Sequence, residues 1–123
     1  MTRLPLALLV SCSLLAGCGD DAGTTIDPTA AAGESVYAVA CIECHAVGGE
    51  GIEGMGEPLV DSDFIQSRTD QELFEVIVRG MGANDPENSS GVAMPPRAGL
   101  PDLSDAEIHA VIAYLRALQS PAD

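Results

Sequence analysis

Lysine and tryptophan are absent from this chain, and its only cationic side chains are five arginines set against nineteen acids. A formal charge of −14 repels nucleic acid and anionic lipid headgroups, which excludes both as charge-driven partners. The same field speeds encounter with basic protein surfaces, and it also serves plain solubility. Aromatics are scarce: two tyrosines and two phenylalanines in 123 residues. So thin an apolar supply leaves a domain of this size marginal without some internal staple. Internal repeats and a second folded unit are also missing, so the chain makes one domain at most.

Long apolar runs are missing too, apart from one at positions 4–16 behind Arg3. It is too short to cross a bilayer and has the character of a secretory signal core. It closes in Leu15-Ala16-Gly17-Cys18, which resembles a bacterial lipobox. That resemblance implies cleavage before Cys18 and diacylation of its sulfur. The expected organisation is a lipoprotein signal peptide over 1–17, a tether from lipidated Cys18 over 18–29, and a folded domain over 30–120. The tether is polar, rich in turn residues and without periodicity, and extended it reaches roughly 40 Å. The expected location is therefore outside the cytoplasm, on a membrane, facing the periplasm or the cell exterior. Simple secretion and an uncleaved anchor are the alternatives.

What is present in the middle of the chain is Cys41-Ile42-Glu43-Cys44-His45. This spacing is the attachment signature of a c-type haem: each thiol adds to one vinyl group, and the adjacent imidazole ligates the iron. Thioredoxin-like chemistry also uses Cys-x-x-Cys, but it needs alternating strands and helices, which do not flank this motif. Zinc needs four ligands, and beyond these three only His109 or a carboxylate remains. Haem is the expected cofactor, covalently held by Cys41 and Cys44 with His45 on the metal. Cys12 then leaves with the signal and Cys18 carries lipid, so no thiol is left for a disulfide.

Helical signals surround the motif. A first helix is expected over about 30–41, with Gly33, Val36, Tyr37 and Ala40 on one face and Thr29 as a cap. Glycine there costs about 1 kcal/mol of helix propensity relative to alanine, which is explained if another helix crosses closely. The last helix opens on the capping box Ser104-Asp105-Ala106-Glu107 and carries the apolar stripe Ile108, Val111, Ile112, Leu115 and Leu118. Tyr114, on the edge of that stripe, is placed to pack in the Gly33 notch. A middle helix begins at the capping box Thr69-Asp70-Gln71-Glu72 and ends at Gly80. Its Val76-Ile77-Val78 run would suit a strand, but the cap and the isolated position favour helix. Asp61 to Ser67 is expected to form one short helical turn. Five glycines between His45 and Pro58 let the backbone turn tightly beside the haem edge, and no phosphate-loop signature accompanies them.

The second axial position decides the chemistry. Met94 is the expected ligand, because it lies in the long loop before the last helix and Pro95-Pro96 stiffen the chain after its sulfur. Met81, at the end of the middle helix, is the runner-up, and Met55 sits in the glycine loop. His109 reads as a solvated side chain.

These residues together resemble a single-haem class I cytochrome c of the bacterial type. The resemblance rests on Gly33-x-x-x-Tyr37-x-x-x-Cys41-x-x-Cys44-His45, on Met94-Pro95-Pro96, and on the closing stretch from Leu103 to Arg116. It implies an all-α fold, with three main helices and long loops packed around one covalently attached haem c. It also implies a backbone carbonyl accepting the His45 N–H, supplied in the family from Gly-Pro-x-Leu. Here that stretch reads Gly56-Glu57-Pro58-Leu59, which leaves Glu57 and Pro58 both open. The expected function is electron transfer by a membrane-tethered carrier, not an enzyme, with redox partners that present basic surfaces. Arg97 is a candidate partner for a haem propionate. The alternatives are a haem subunit of a larger membrane oxidoreductase and a gas- or peroxide-binding haem sensor or enzyme.

Overall fold

A computed structural model describes residues 28–120. The signal segment 1–17, Cys18 and the tether as far as residue 27 lie outside the described residues. Five α-helices run in the order α1 Pro28–Ala40, α2 Ile42–His45, α3 Asp63–Gln66, α4 Asp70–Arg79 and α5 Asp105–Ala117. Among the described residues strand pairing is limited to two isolated bridges, Ile52 with Gly56 and Met81 with Met94. The all-α expectation therefore holds.

The first helix begins at Pro28, two residues ahead of the sequence expectation, and Thr29 lies inside it. Proline suits a first helical turn, where its missing N–H would have no partner anyway. Inside α1, Gly33 is buried where α5 crosses. A Cβ at Gly33 would stand 1.9 Å from the Ala110 carbonyl oxygen and 2.9 Å from Tyr114 Cβ. The expected notch thus exists, and the backbone of Ala110 fills it before Tyr114 does. Tyr37 packs beside Tyr114, with ring centroids 5.2 Å apart at 55°.

Both long C-terminal helices start as their sequences require. Thr69 Oγ1 accepts from Glu72 N while Glu72 Oε2 accepts from Thr69 N at 2.7 Å. Ser104 and Glu107 repeat the arrangement at the start of α5, with Glu107 Oε2 accepting from Ser104 N at 2.8 Å. Gly80 ends α4 at φ 75°, and a Cβ there would strike the Met94 carbonyl at 2.4 Å. The apolar stripe of α5 is buried at Ile108, Val111, Ile112 and Leu115, against Leu73 and Ile77 of α4 and Ile65 of α3.

Polar side chains on and after α5 tie down the chain around α3. Arg116 donates from Nη1 to Ile65 O and from Nη2 to Arg68 O, and its Nε donates to Asp70 Oδ1 at 2.9 Å. Gln119 donates to Leu59 O at 2.7 Å and accepts from Ser62 N at 2.8 Å. These bonds hold one wall of the cleft described next.

Candidate functional site

The first helix breaks at Cys41, and the single turn α2 carries the rest of the motif. Cys44 N and His45 N both donate to Cys41 O, at 3.2 and 3.0 Å. This tight turn places Cys41, Cys44 and His45 on one cleft, whose space measures about 1230 Å3 with its open mouth. Leu73, Ile77, Val111 and Leu115 line its floor and belong also to the buried core.

His45 is oriented by the loop that follows. Its Nδ1 lies 2.7 Å from the carbonyl oxygen of Glu57. A carbonyl can only accept, so Nδ1 carries the proton and Nε2 keeps its lone pair for a metal. Of the two carbonyls that the sequence left open, Glu57 supplies the bond. The loop reaches that position because Gly56 passes over the motif: a Cβ at Gly56 would meet Cys44 O at 2.2 Å. Any side chain there would push the loop off the imidazole. Five glycines lie between His45 and Pro58, and nothing local in the sequence singles out this one.

Behind the motif, the buried Tyr37 hydroxyl donates to Ala46 O at 2.8 Å. Ala46 takes φ 65°, an uncommon conformation for alanine, and the tyrosine bond fixes its carbonyl there. Burial above all raises the Tyr37 hydroxyl well above the ordinary tyrosine range.

Burial first, and the neighbouring Cys44 second, push the Cys41 thiol up to about 11. Reactive cysteines have lowered values, as thiolates stabilised by a cation or a helix N-terminus. Among the described residues no group of three or more His, Cys, Asp or Glu side chains gathers as a metal site. The donor set therefore fits a porphyrin-bound iron, not a bare ion.

Three methionines line the cleft: Met55, Met81 and Met94. Met81 and Met94 face each other in an antiparallel bridge, with Met81 N donating to Met94 O at 2.9 Å and Met94 N to Met81 O at 2.8 Å. Directly paired residues present their side chains to the same face, so the structure brings the expected ligand and its runner-up together. Met94 is the one that packs against the buried core, while Met55 stands 45% exposed. His109 is exposed and away from the cleft, but it is not simply solvated: its ring stacks on Phe74 at 4.7 Å and 12°. Arg97 donates to Leu103 O at 2.6 Å and to Asp105 Oδ1 at 2.8 Å, so the protein itself engages the group expected near a propionate.

Residues 28–115 match the protein family described as cytochrome c oxidase, cbb3-type, subunit III. The chain belongs to this cytochrome c family. Its cofactor is one covalently attached haem c, and electron transfer is the chemistry of that haem. Over 93 residues, 74% of its length, this cytochrome is 32% identical to the cbb3-type cytochrome c oxidase subunit FixP of Sinorhizobium medicae. It covers 31% of that subunit. Its fold is similar to that of cytochrome cL from the marine methylotroph Methylophaga aminisulfidivorans, with a TM-score of 0.53 at 27% identity. That likeness covers 76% of this cytochrome and 55% of cytochrome cL. The cytochrome thus spans about a third of the oxidase subunit and about half of cytochrome cL.

Proposed function

We propose that this cytochrome is a one-electron carrier whose haem is joined to Cys41 and Cys44 and held axially by His45 and Met94. When bound, the haem supplies a one-electron couple between ferrous and ferric iron. The observation that carries the reading is the Glu57 carbonyl on His45 Nδ1, which leaves Nε2 aimed for ligation in a cleft that also holds Met94. His45 and Met94 would hold the group from a packed scaffold, so little would have to move as it gains or loses an electron. A thioether favours the reduced state and raises the potential relative to a second imidazole. As a carrier, the domain needs no substrate pocket and performs no catalysis of its own.

The anchor and the partners belong to the same proposal. Diacylated Cys18 holds the domain at a membrane outside the cytoplasm, where tethering raises its effective concentration beside membrane-bound partners. No helix among the described residues is long and apolar enough to cross a membrane. Donor and acceptor present basic surfaces, in keeping with the charge of this cytochrome. The likeness to an oxidase subunit favours a second form of the same chemistry, in which the domain stays docked as a haem subunit of a larger oxidoreductase.

Optical spectra of the oxidised protein test the axial pair. Met94→Ala is expected to abolish the weak red sulfur-to-iron band, and Met81→Ala to retain it. The opposite pattern transfers the ligand role to Met81.

A further inference from the structure

Glu57 makes two bonds with different parts of itself. Its backbone carbonyl accepts from His45 Nδ1 at 2.7 Å. Its carboxylate Oε1 accepts from both Ser89 N and Ser89 Oγ, the latter at 2.8 Å. Ser89 belongs to residues 82–93, the loop that separates Met81 from Met94. That loop is closed on itself by Asn88, whose Nδ2 donates to Gly82 O at 3.0 Å and to Val92 O at 2.8 Å. Asn88 Oδ1 in turn accepts from Gly91 N at 3.0 Å and from Ser90 Oγ at 2.9 Å. Two residues beyond Val92 stands Met94, paired to Met81 through the bridge. Asn88, Ser90 and Val92 line the cleft together with Glu57.

We propose that Glu57 is a positioning residue that latches the methionine loop to the histidine side of the haem, so that one residue sets both axial ligands. The inference rests on the His45–Met94 ligation proposed above. A thioether is a weak ligand, and its hold on the metal depends on how rarely its loop opens. Hydrogen bonds to an ionised acceptor are stronger than neutral ones, and the carboxylate takes two from a single residue. Released from Glu57, the loop keeps its internal Asn88 bonds and the Arg68–Glu87 pair on its other side, but loses its attachment to the segment that orients His45. The proximal bond survives any substitution at this position, because every residue offers a backbone carbonyl. The side chain can therefore be altered without touching the imidazole.

Added imidazole reads the latch, because it competes with the methionine for ferric iron. Glu57→Ala is expected to raise the apparent imidazole affinity of the oxidised holoprotein roughly tenfold, the factor for the loss of about one charge-assisted hydrogen bond. Ser89→Ala should act in the same direction, and the double variant should show less than the sum of the two effects. Glu57→Gln keeps an acceptor oxygen and should return the affinity most of the way to wild type. Its midpoint potential should still lie above wild type, because a negative charge that favours ferric iron is gone. The latch is refuted if Glu57→Ala leaves imidazole binding within twofold of wild type. A different result marks failure of the ligation itself: wild type binding imidazole as tightly as Met94→Ala.

Discussion

At the scale of single residues, two glycines and a tyrosine do work that their neighbours cannot take over. Gly33 has a carbonyl in place of the space a methyl group would need, 1.9 Å from an ideal Cβ. Gly33→Ala is expected to destabilise the holoprotein by about 2–3 kcal/mol, the upper part of the range for overpacking, seen as a lowered denaturation midpoint in guanidinium. Gly56 plays the matching part at the motif, where the obstacle is the backbone of Cys44. Tyr37 adds a hydrogen bond to Ala46 O, and Tyr37→Phe should cost about 1 kcal/mol. Its raised pKa has a further consequence. The folded state prefers the neutral phenol, so this stability is fully present below the ordinary value of about 10 and is lost as pH rises toward the raised one. Melting curves of wild type should therefore fall on the alkaline side, and those of Tyr37→Phe should fall less.

At the scale of elements, the starts of α4 and α5 are parts that sequence alone settles. The hydroxyl and the glutamate three residues later form a closed local unit, and both capping boxes are present at Thr69 and Ser104. Hydrogen bonds from the cap backbone N–H first, and from the cap hydroxyl second, hold the Glu72 and Glu107 carboxyls below the usual range. Stability from a lowered carboxyl is present above about 4.3 and lost as pH falls through the lowered value. Replacing both with glutamine should flatten the acid limb of a thermal-melt series between about pH 5 and 2.

The α5 stripe, the Gly33 crossing and the short α3 turn are legible for the same reason, because period and cap are local; of the cleft, the motif residues and the methionines are legible. Other parts are not. Nothing near Arg97 in sequence shows that Arg97, Ala98 and Gly99 all turn left-handed, at φ 51°, 55° and 78°. Such residues are costly for L side chains and persist where surroundings over-determine them, here through the Arg97 bonds to Leu103 and Asp105. The bridge that seats Met81 opposite Met94 joins residues thirteen apart, beyond any helical or strand period. The carbonyl for His45 likewise depends on a glycine passing over a cysteine, a contact between two loops.

At the scale of the whole molecule, most of the described arginines are engaged in ion pairs within the domain. Arg68 pairs with Glu87, Arg97 with Asp105 and Arg116 with Asp70, so three of the four described arginines are already neutralised by neighbours. The field of the domain is that of its remaining carboxylates. Six core residues, Ile65, Leu73, Ile77, Leu103, Val111 and Leu115, also line the cleft, so the cleft and the core share one apolar surface. Without haem, that surface would face water on one side. A Cys41→Ala/Cys44→Ala chain is expected to lack a cooperative thermal transition by circular dichroism, in contrast to the holoprotein.

The crossing of α1 with α5 joins residue 33 to residue 110, nearly the two ends of the domain. A growing polypeptide presents Cys41, Cys44 and His45 long before it can offer Ala110, and pairings so distant along the chain form late. Closure of the Gly33–Ala110 crossing is therefore expected to come late in folding, after the motif itself is available.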